Sequence, residues 1–301
     1  MSAIEKAQPP DREDERTGPL SGGDVRAAAR THRGTVRKHN EDAFLCRPEL
    51  GLFAVIDGMG GQAAGRQAAA LAREALLDAR EPAPGLIAAN ERILKAAQSR
   101  PEFEGMGCVA SALRIDSSVA RIAHVGDTRV YLAGSAGCEQ LTRDHTVAAS
   151  EQERLGLSQG HAGGLPGRNQ VTRDLGGRRR RGDNWIDRLD VPLEPGALLL
   201  LCSDGLPAAV GDDHVFDRLR QARRAGTPPE ALADELIALA LDRGARDNVT
   251  AVVVRHLGEV GPGGRRAGAL VRAGLPALRR AVVPFLVGAA LGFVLRGYVA
   301  F

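Results

Sequence analysis

Apolar and polar positions along the chain change texture several times, and the elements they predict come in blocks. Leu52–Ile56 is an unbroken apolar run that fits a buried strand, and it runs into Asp57 and a glycine-rich stretch, Gly58, Gly60 and Gly61. Gln62–Ala79 and Pro84–Gln98 carry alanine and leucine at helical spacing. Beyond them, Cys108–Ile115, Val119–Val125, Arg129–Ala133 and Cys138–Leu141 read as short strands punctuated by Gly and Ser. Strands this close in sequence must pair antiparallel, because a parallel crossover needs a dozen or more residues. Thr146–Leu155 reads as a short helix opening an irregular region, Gly156 to Arg188. Leu198–Cys202 is another apolar strand, helical patterns fill Asp212–Arg224 and Pro229–Asp242, and Val249–Val254 is the last strand. This blockwise order predicts an α+β sandwich rather than a doubly wound parallel sheet.

The two ends differ from this body. Residues 1–24 carry charge throughout the first sixteen and have no apolar core, so they read as a disordered arm and not as a signal peptide. The body is expected over 25–257, with short candidate strands and polar turns between Val25 and Ala43. A basic Gly/Arg linker follows over 258–280, and 281–301 reads as a C-terminal hydrophobic helix. Its fifteen uncharged residues, Ala281–Leu295, span about 22 Å as a helix, short of the roughly 30 Å membrane core. Counting through to Phe301, with Arg296 snorkelling, gives twenty-one. The expectation is a transmembrane anchor that holds the body at the cytoplasmic face of the membrane through Arg279 and Arg280. The alternative is an amphipathic or oligomerising helix.

Charge and cysteine use narrow the field. Net charge is +3, but the stretch from Val260 onward holds six arginines and no acids, so residues 1–259 carry −3 (34 Lys and Arg against 37 Asp and Glu). A mildly acidic body argues against nucleic acid as a partner. The four cysteines lie far apart with no paired spacing, which fits reduced thiols in a cytosolic compartment and gives no zinc or catalytic-cysteine pattern.

Four apolar runs are bounded by an aspartate beside a small or polar residue: Ile56-Asp57-Gly58, Val125-Gly126-Asp127, Ser203-Asp204-Gly205 and Arg246-Asp247-Asn248. Glu41 and Asp42 add two acids in a polar turn. Singly, each Asp is better read as an Asx-turn or helix cap. The repetition changes this, because burying an unpaired carboxylate is costly and hard divalent cations such as Mg²⁺ or Mn²⁺ take oxygen ligands. Six such acids suit two ions about 3.5–4 Å apart, with Asp57 as the bridge. Gly58, without a side chain, lets its carbonyl approach whatever Asp57 holds. Arg37 is either an ion-paired surface arginine or a bidentate clamp on a substrate phosphate. Gly58, Gly60 and Ala63, with Asp78 further on, weakly match a dinucleotide fingerprint; Asp57 would repel a pyrophosphate there, and no alternating βαβ units follow.

Seven segments in order, RKHNED (37–42), VIDGMGG (55–61), GDTRVY (126–131), LTRDHT (141–146), RNQVTRDLG (168–176), LLLLCSDGL (198–206) and DNVTAVVV (247–254), make the chain resemble the metal-dependent serine/threonine protein phosphatases of type 2C, the PPM family. The resemblance implies a four-layer αββα sandwich, two antiparallel sheets flanked by helices, with a Mn²⁺ or Mg²⁺ centre between the sheets at one edge. It implies that Asp57 bridges two ions, with the Gly58 carbonyl on one of them. Asp204 and Asp247 resemble ligands of the first ion, Glu41 and Asp42 those of the second, and Asp127 that of a third, weaker ion found in bacterial-type members. Arg37 matches the phosphate-binding arginine. The implied reaction is attack of metal-bound hydroxide on phosphoserine or phosphothreonine proteins, with a Ser/Thr kinase as the opposing enzyme. The rival is a pseudophosphatase acting as a regulatory binding module, against which the retention of every ligand acid speaks. Met59, Gln62 and Arg66 depart from common family patterns, leaving the leaving-group acid open among a metal-bound water, His39 and His145. Thr146–Asp187 falls at the family's flap, where the Arg178–Arg181 run is either a solvated loop or a docking point for an acidic or phosphorylated partner.

Overall fold

The structure is a computed structural model that describes residues 14–18, 20–155, 167, 170–177 and 184–258. The C-terminal hydrophobic stretch and the Arg178–Arg181 run lie outside the described residues. Among the described residues no helix is long and apolar enough to cross a membrane.

Two antiparallel sheets make up the body. The seven-stranded sheet runs β1 (Asp14–Arg16), β3 (Val25–His32), β12 (Val249–His256), β11 (Leu198–Cys202), β8 (Arg129–Gly134) and β9 (Gly137–Gln140), with β2 (Leu20–Gly22) also on β3. The five-stranded sheet runs β10 (Asp187–Pro192), β7 (Val119–Val125), β6 (Gly107–Asp116), β5 (Leu52–Met59) and β4 (Ala43–Arg47). Strand periodicity explains the unbroken apolar runs, because successive side chains point to opposite faces and both faces are covered. In β5, Phe53 and Val55 enter the core between the sheets, while Leu52, Ala54 and Ile56 face helices α1 (Gln62–Ala79) and α2 (Pro82–Ser99). In β11, Leu199 and Leu201 enter the shared core. Leu198, Leu200 and Cys202 meet α4 (Gly205–Val210), α5 (Asp212–Ala225) and α6 (Pro229–Asp242) on the other side. Helix α3 (Val147–Arg154) starts at Thr146, whose hydroxyl accepts the Ala149 N–H at 3.1 Å.

On α1, Ala64, Ala68, Ala72 and Ala75 are all buried against the sheet. Alanine is both the best helix former and small enough to bring a helix close to a strand.

The arm reading needs correction, and two strands were not predicted. Residues 14–16 and 20–22, expected within a disordered arm, form β1 and β2 on β3. Backbone pairing carries them: Thr17 Oγ1 accepts the Ala29 N–H at 2.9 Å, and the Thr17 carbonyl accepts from Arg30. Ala43–Arg47 forms a strand of its own, β4, against β5. Asp187–Pro192 is also a strand, although it carries three charged residues; it is the last strand of its sheet and alternates half-buried with exposed positions.

Tight packing under α1 gives a test. Ala72→Leu should lower stability by about 1–3 kcal/mol through overpacking, read as a lower urea midpoint with unchanged slope.

Candidate metal centre

The register of the strands places every acid singled out from the sequence at the same end of the sandwich. In the five-stranded sheet Asp57 lies at the end of β5, beside the start of β4 (Ala43 opposite Ile56) and of β6 (Met59 opposite Gly107). Glu41 and Asp42 immediately precede β4. In the other sheet the end of β11 meets the start of β12 (Cys202 opposite Ala251) and of β8 (Cys202 opposite Arg129), which sets Asp204, Asp247 and Asp127 side by side. Two connections cross between the sheets at this end, 33–42 from β3 to β4 and Gly126–Thr128 from β7 to β8. Acids from both sheets therefore face one cleft.

Each half has one close backbone approach at this end. A Cβ on Gly58 would stand 2.6 Å from the Glu41 carbonyl oxygen and 2.3 Å from that of Gly65. A Cβ on Gly205 would stand 2.0 Å from the Asn248 carbonyl oxygen. Neither position admits a side chain without moving backbone.

Asn248 ties the loop to the strand. Its amide donates to the carbonyls of Arg33 and His39, both at 3.0 Å, and its Oδ1 accepts the Glu41 N–H at 2.8 Å. Asp42 is held by a one-way relay of donors. Asn40 Nδ2 donates to Thr31 Oγ1 (2.8 Å), Thr31 to Thr250 Oγ1 (2.6 Å), and Thr250 to Asp42 Oδ2 (2.6 Å). Ser203 Oγ donates to the same oxygen at 2.8 Å. The other oxygen of Asp42, Oδ1, is buried and has no hydrogen-bond partner among the described residues.

The electrostatics show how closely the acids crowd. Burial, followed by the charges of Asp42, Asp204, Asp127 and Asp247, holds the Asp57 carboxyl well above the ordinary range. Burial pushes Asp42 up to about 7 against the hydroxyls that stabilise its charge, with Asp204 and Asp247 adding to the rise. Asp127 is likewise raised to about 7, first by burial and then by Asp204. Asp204 is raised to about 6 by burial and by Asp247. Arg37 Nη2 donates to Asp247 Oδ2 at 2.7 Å, and this bond raises the guanidinium pKa. Among the described residues no three His, Cys, Asp or Glu side chains already stand at the spacing of a metal cage. The set is gathered within mutual repulsion but not closed on one point, since Arg37 holds Asp247 and two hydroxyls hold Asp42. Clustered carboxylates, a buried carboxylate oxygen with no donor, and oxygen-only chemistry fit hard divalent cations.

Two expected residues stand differently from the rest. Arg37 is about half exposed at the rim and is paired with Asp247 rather than standing apart for phosphate. His145 is committed to the fold: its Nδ1 accepts the Gly126 N–H at 3.1 Å, so its proton lies on Nε2, 3.1 Å from Asp187 Oδ2. Behind Asp127, Arg129 grips Asp144 with two nitrogens, at 3.0 and 2.7 Å, and donates to Asp212 at 2.6 Å, fixing the start of β8. Sequence reasoning quoted Asn40, Ser203, Asn248 and Thr250 inside motifs without assigning them work. Their signal was a small polar residue within three positions of an acid, which reads equally well as a turn.

The family model described as Protein phosphatase 2C matches residues 25–187, and one described as Stage II sporulation protein E (SpoIIE) matches residues 181–257. The serine/threonine protein phosphatase PstP of Mycobacterium tuberculosis is 34% identical over 76% of this chain, which spans 44% of that protein's length. The serine/threonine phosphatase stp of Listeria welshimeri is 32% identical over 77% of this chain and 96% of its own. A crystal structure of the catalytic domain of PstP in complex with two manganese ions superposes with a TM-score of 0.65 at 31% identity, covering 77% of this chain and 97% of that one.

Asn248 is the testable joint. Asn248→Ala strands two carbonyls and one N–H and should destabilise the metal-free chain by about 3 kcal/mol, measured by equilibrium unfolding in chelator.

Proposed function

The chain belongs to the protein phosphatase 2C family, and from that premise we propose that it is a metal-dependent phosphatase acting on phosphoserine and phosphothreonine in proteins. The observation that carries the reading is the convergence of Glu41, Asp42, Asp57, Asp127, Asp204 and Asp247 from both sheets onto one end of the sandwich, with Arg37 at its rim. Mn²⁺ or Mg²⁺, when bound, supplies Lewis acidity and lowers the pKa of a coordinated water.

The chain's own residues divide the remaining work. Asp57, whose carboxyl feels the charges of Asp42, Asp204, Asp127 and Asp247 together, would contribute to holding both ions, with the Gly58 carbonyl beside it. Asp204 and Asp247 would hold the first ion, Glu41 and Asp42 the second, and Asp127, with Asp204, a third. Ser203 and Thr250 hold one oxygen of Asp42 and leave the other, buried without a donor among the described residues, to serve as the ligand atom. Asn248 keeps Glu41 in register with Asp247. Arg37, half exposed beside Asp247, would bind the substrate phosphate, for which arginine's planar fork is suited. His145 is held by the fold, which favours a water, or His39, as the source of the leaving-group proton.

The pseudophosphatase reading is weaker, because every proposed ligand acid is present and each sits at the shared edge. Phosphorylated proteins are the proposed substrates, and a Ser/Thr kinase is the proposed opponent. For residues 281–301 we keep the membrane anchor, at the cytoplasmic face, as the proposal over an oligomerising helix. Its support is the uncharged run behind Arg279 and Arg280.

The full chain should hydrolyse p-nitrophenyl phosphate on addition of Mn²⁺, stop on addition of chelator, and lose nearly all activity in Asp57→Asn. Activity that survives both chelator and the substitution refutes the metal assignment.

A further inference from the structure

Strand β10 closes the five-stranded sheet and pairs only with β7 among the described residues. Next to it lies a cleft of about 500 Å³. Leu141, Ile186 and Leu189 give it apolar walls, and Arg143, Arg188 and Asp187 give it charge. Leu141 and Leu189 extend the core between the sheets to the surface.

The charges in this cleft are not balanced. Asp187 is already engaged, by Arg173 Nη1 at 2.8 Å and by His145 Nε2 at 3.1 Å. Arg143 pairs with Glu153 at 2.6 Å, on a side chain that is 68% exposed. Water screens such a pair and leaves it worth little. Arg188 borders the cleft from the exposed face of β10, opposite to Leu189, so that a strand added along this edge would meet both faces. The cleft therefore presents arginines beside apolar walls, with its carboxylate already compensated.

A hydrogen-bond relay links the wall of the cleft to the metal centre. Asp187 bonds His145, His145 Nδ1 accepts the Gly126 N–H, and Gly126 precedes Asp127. The His145 N–H also donates to the Gly126 carbonyl at 2.7 Å, so the histidine is fixed to that turn from both ends.

We propose that the cleft beside β10 binds the polypeptide of the phosphorylated substrate, as an extended segment along the β10 edge. An apolar side chain sits on Leu141, Ile186 and Leu189, and an acidic one meets Arg143 and Arg188. This rests on the phosphatase reading and adds a sequence preference to it, for phosphorylated residues with acidic and apolar neighbours. Edge strands accept an added strand through backbone bonds, with side-chain pockets setting specificity.

Two phosphothreonine peptides, one with Leu and Glu flanking the phosphorylated residue and one with Lys replacing each Glu, test it on the full chain with Mn²⁺. Wild type should show kcat/KM about tenfold higher for the acidic peptide, the difference lying in KM, and Arg188→Glu should erase or reverse the preference. Turnover of p-nitrophenyl phosphate, which has no polypeptide, should be unchanged in Arg188→Glu. Equal kcat/KM for both peptides, or a preference that survives Arg188→Glu, overturns the proposal. So does an equal loss on peptides and p-nitrophenyl phosphate. Hydrogen exchange with the unphosphorylated acidic peptide is independent of turnover. Slower exchange across 187–192 supports the cleft even in a chain that hydrolyses nothing, and unchanged exchange there rejects it.

Discussion

Carboxylates of like charge drawn together in a partly buried cleft repel one another, and this repulsion is the constraint on which the rest of the structure turns. At low effective dielectric such pairs interact far more strongly than in water. Four of the acids here, Asp42, Asp57, Asp127 and Asp204, are each held above the ordinary carboxylate range by burial and by one another. Arg37 offsets part of this charge through Asp247, and the Ser203 and Thr250 hydroxyls offset part of it at Asp42. Arg129 adds a more distant positive charge felt by Asp127 and Asp204, yet the six carboxylates still bring an excess of negative charge, which divalent cations are suited to neutralise.

The fold sustains that strain by spreading the acids over separate strand ends. Each carboxylate lies next to a buried strand whose two faces are locked, one into the core between the sheets and one against helices. Antiparallel pairing then fixes which ends coincide, since a one-residue slip would turn core side chains outward. Gly58 and Gly205 allow close backbone contacts within each half, and Asn248 links the halves by satisfying the groups the connecting loop leaves over. Stability and function are in this sense opposed at one end of the molecule and supported by the packing of the other.

Much of this was legible in the sequence because it is written in periodicity and repetition. Unbroken runs such as Leu198–Cys202 mark strands covered on both faces, and the recurrence of an aspartate at their ends marks the edge where they meet. What escaped notice was set by tertiary context. Asp187–Pro192 carries too many charges to look like a strand, and becomes one because β7 offers it a partner. Residues 14–16 and 20–22 have little apolar content and are ordered by the open edge of β3. Asn40, Ser203 and Thr250 look like turn or strand residues in isolation, and only the fold lines up their hydroxyls and amides on Asp42. The pairing of Arg37 with Asp247 also depends on the fold, since 210 positions separate them.

The most direct measurement is anomalous diffraction at the manganese edge from crystals of the full chain grown with Mn²⁺. Paired peaks should lie among the carboxylates of Asp57, Asp204, Asp247 and Asp42, with Arg37 withdrawn from Asp247. Manganese bound elsewhere, or no peak while Arg37 still holds Asp247, would contradict the assignment of this edge as a metal centre.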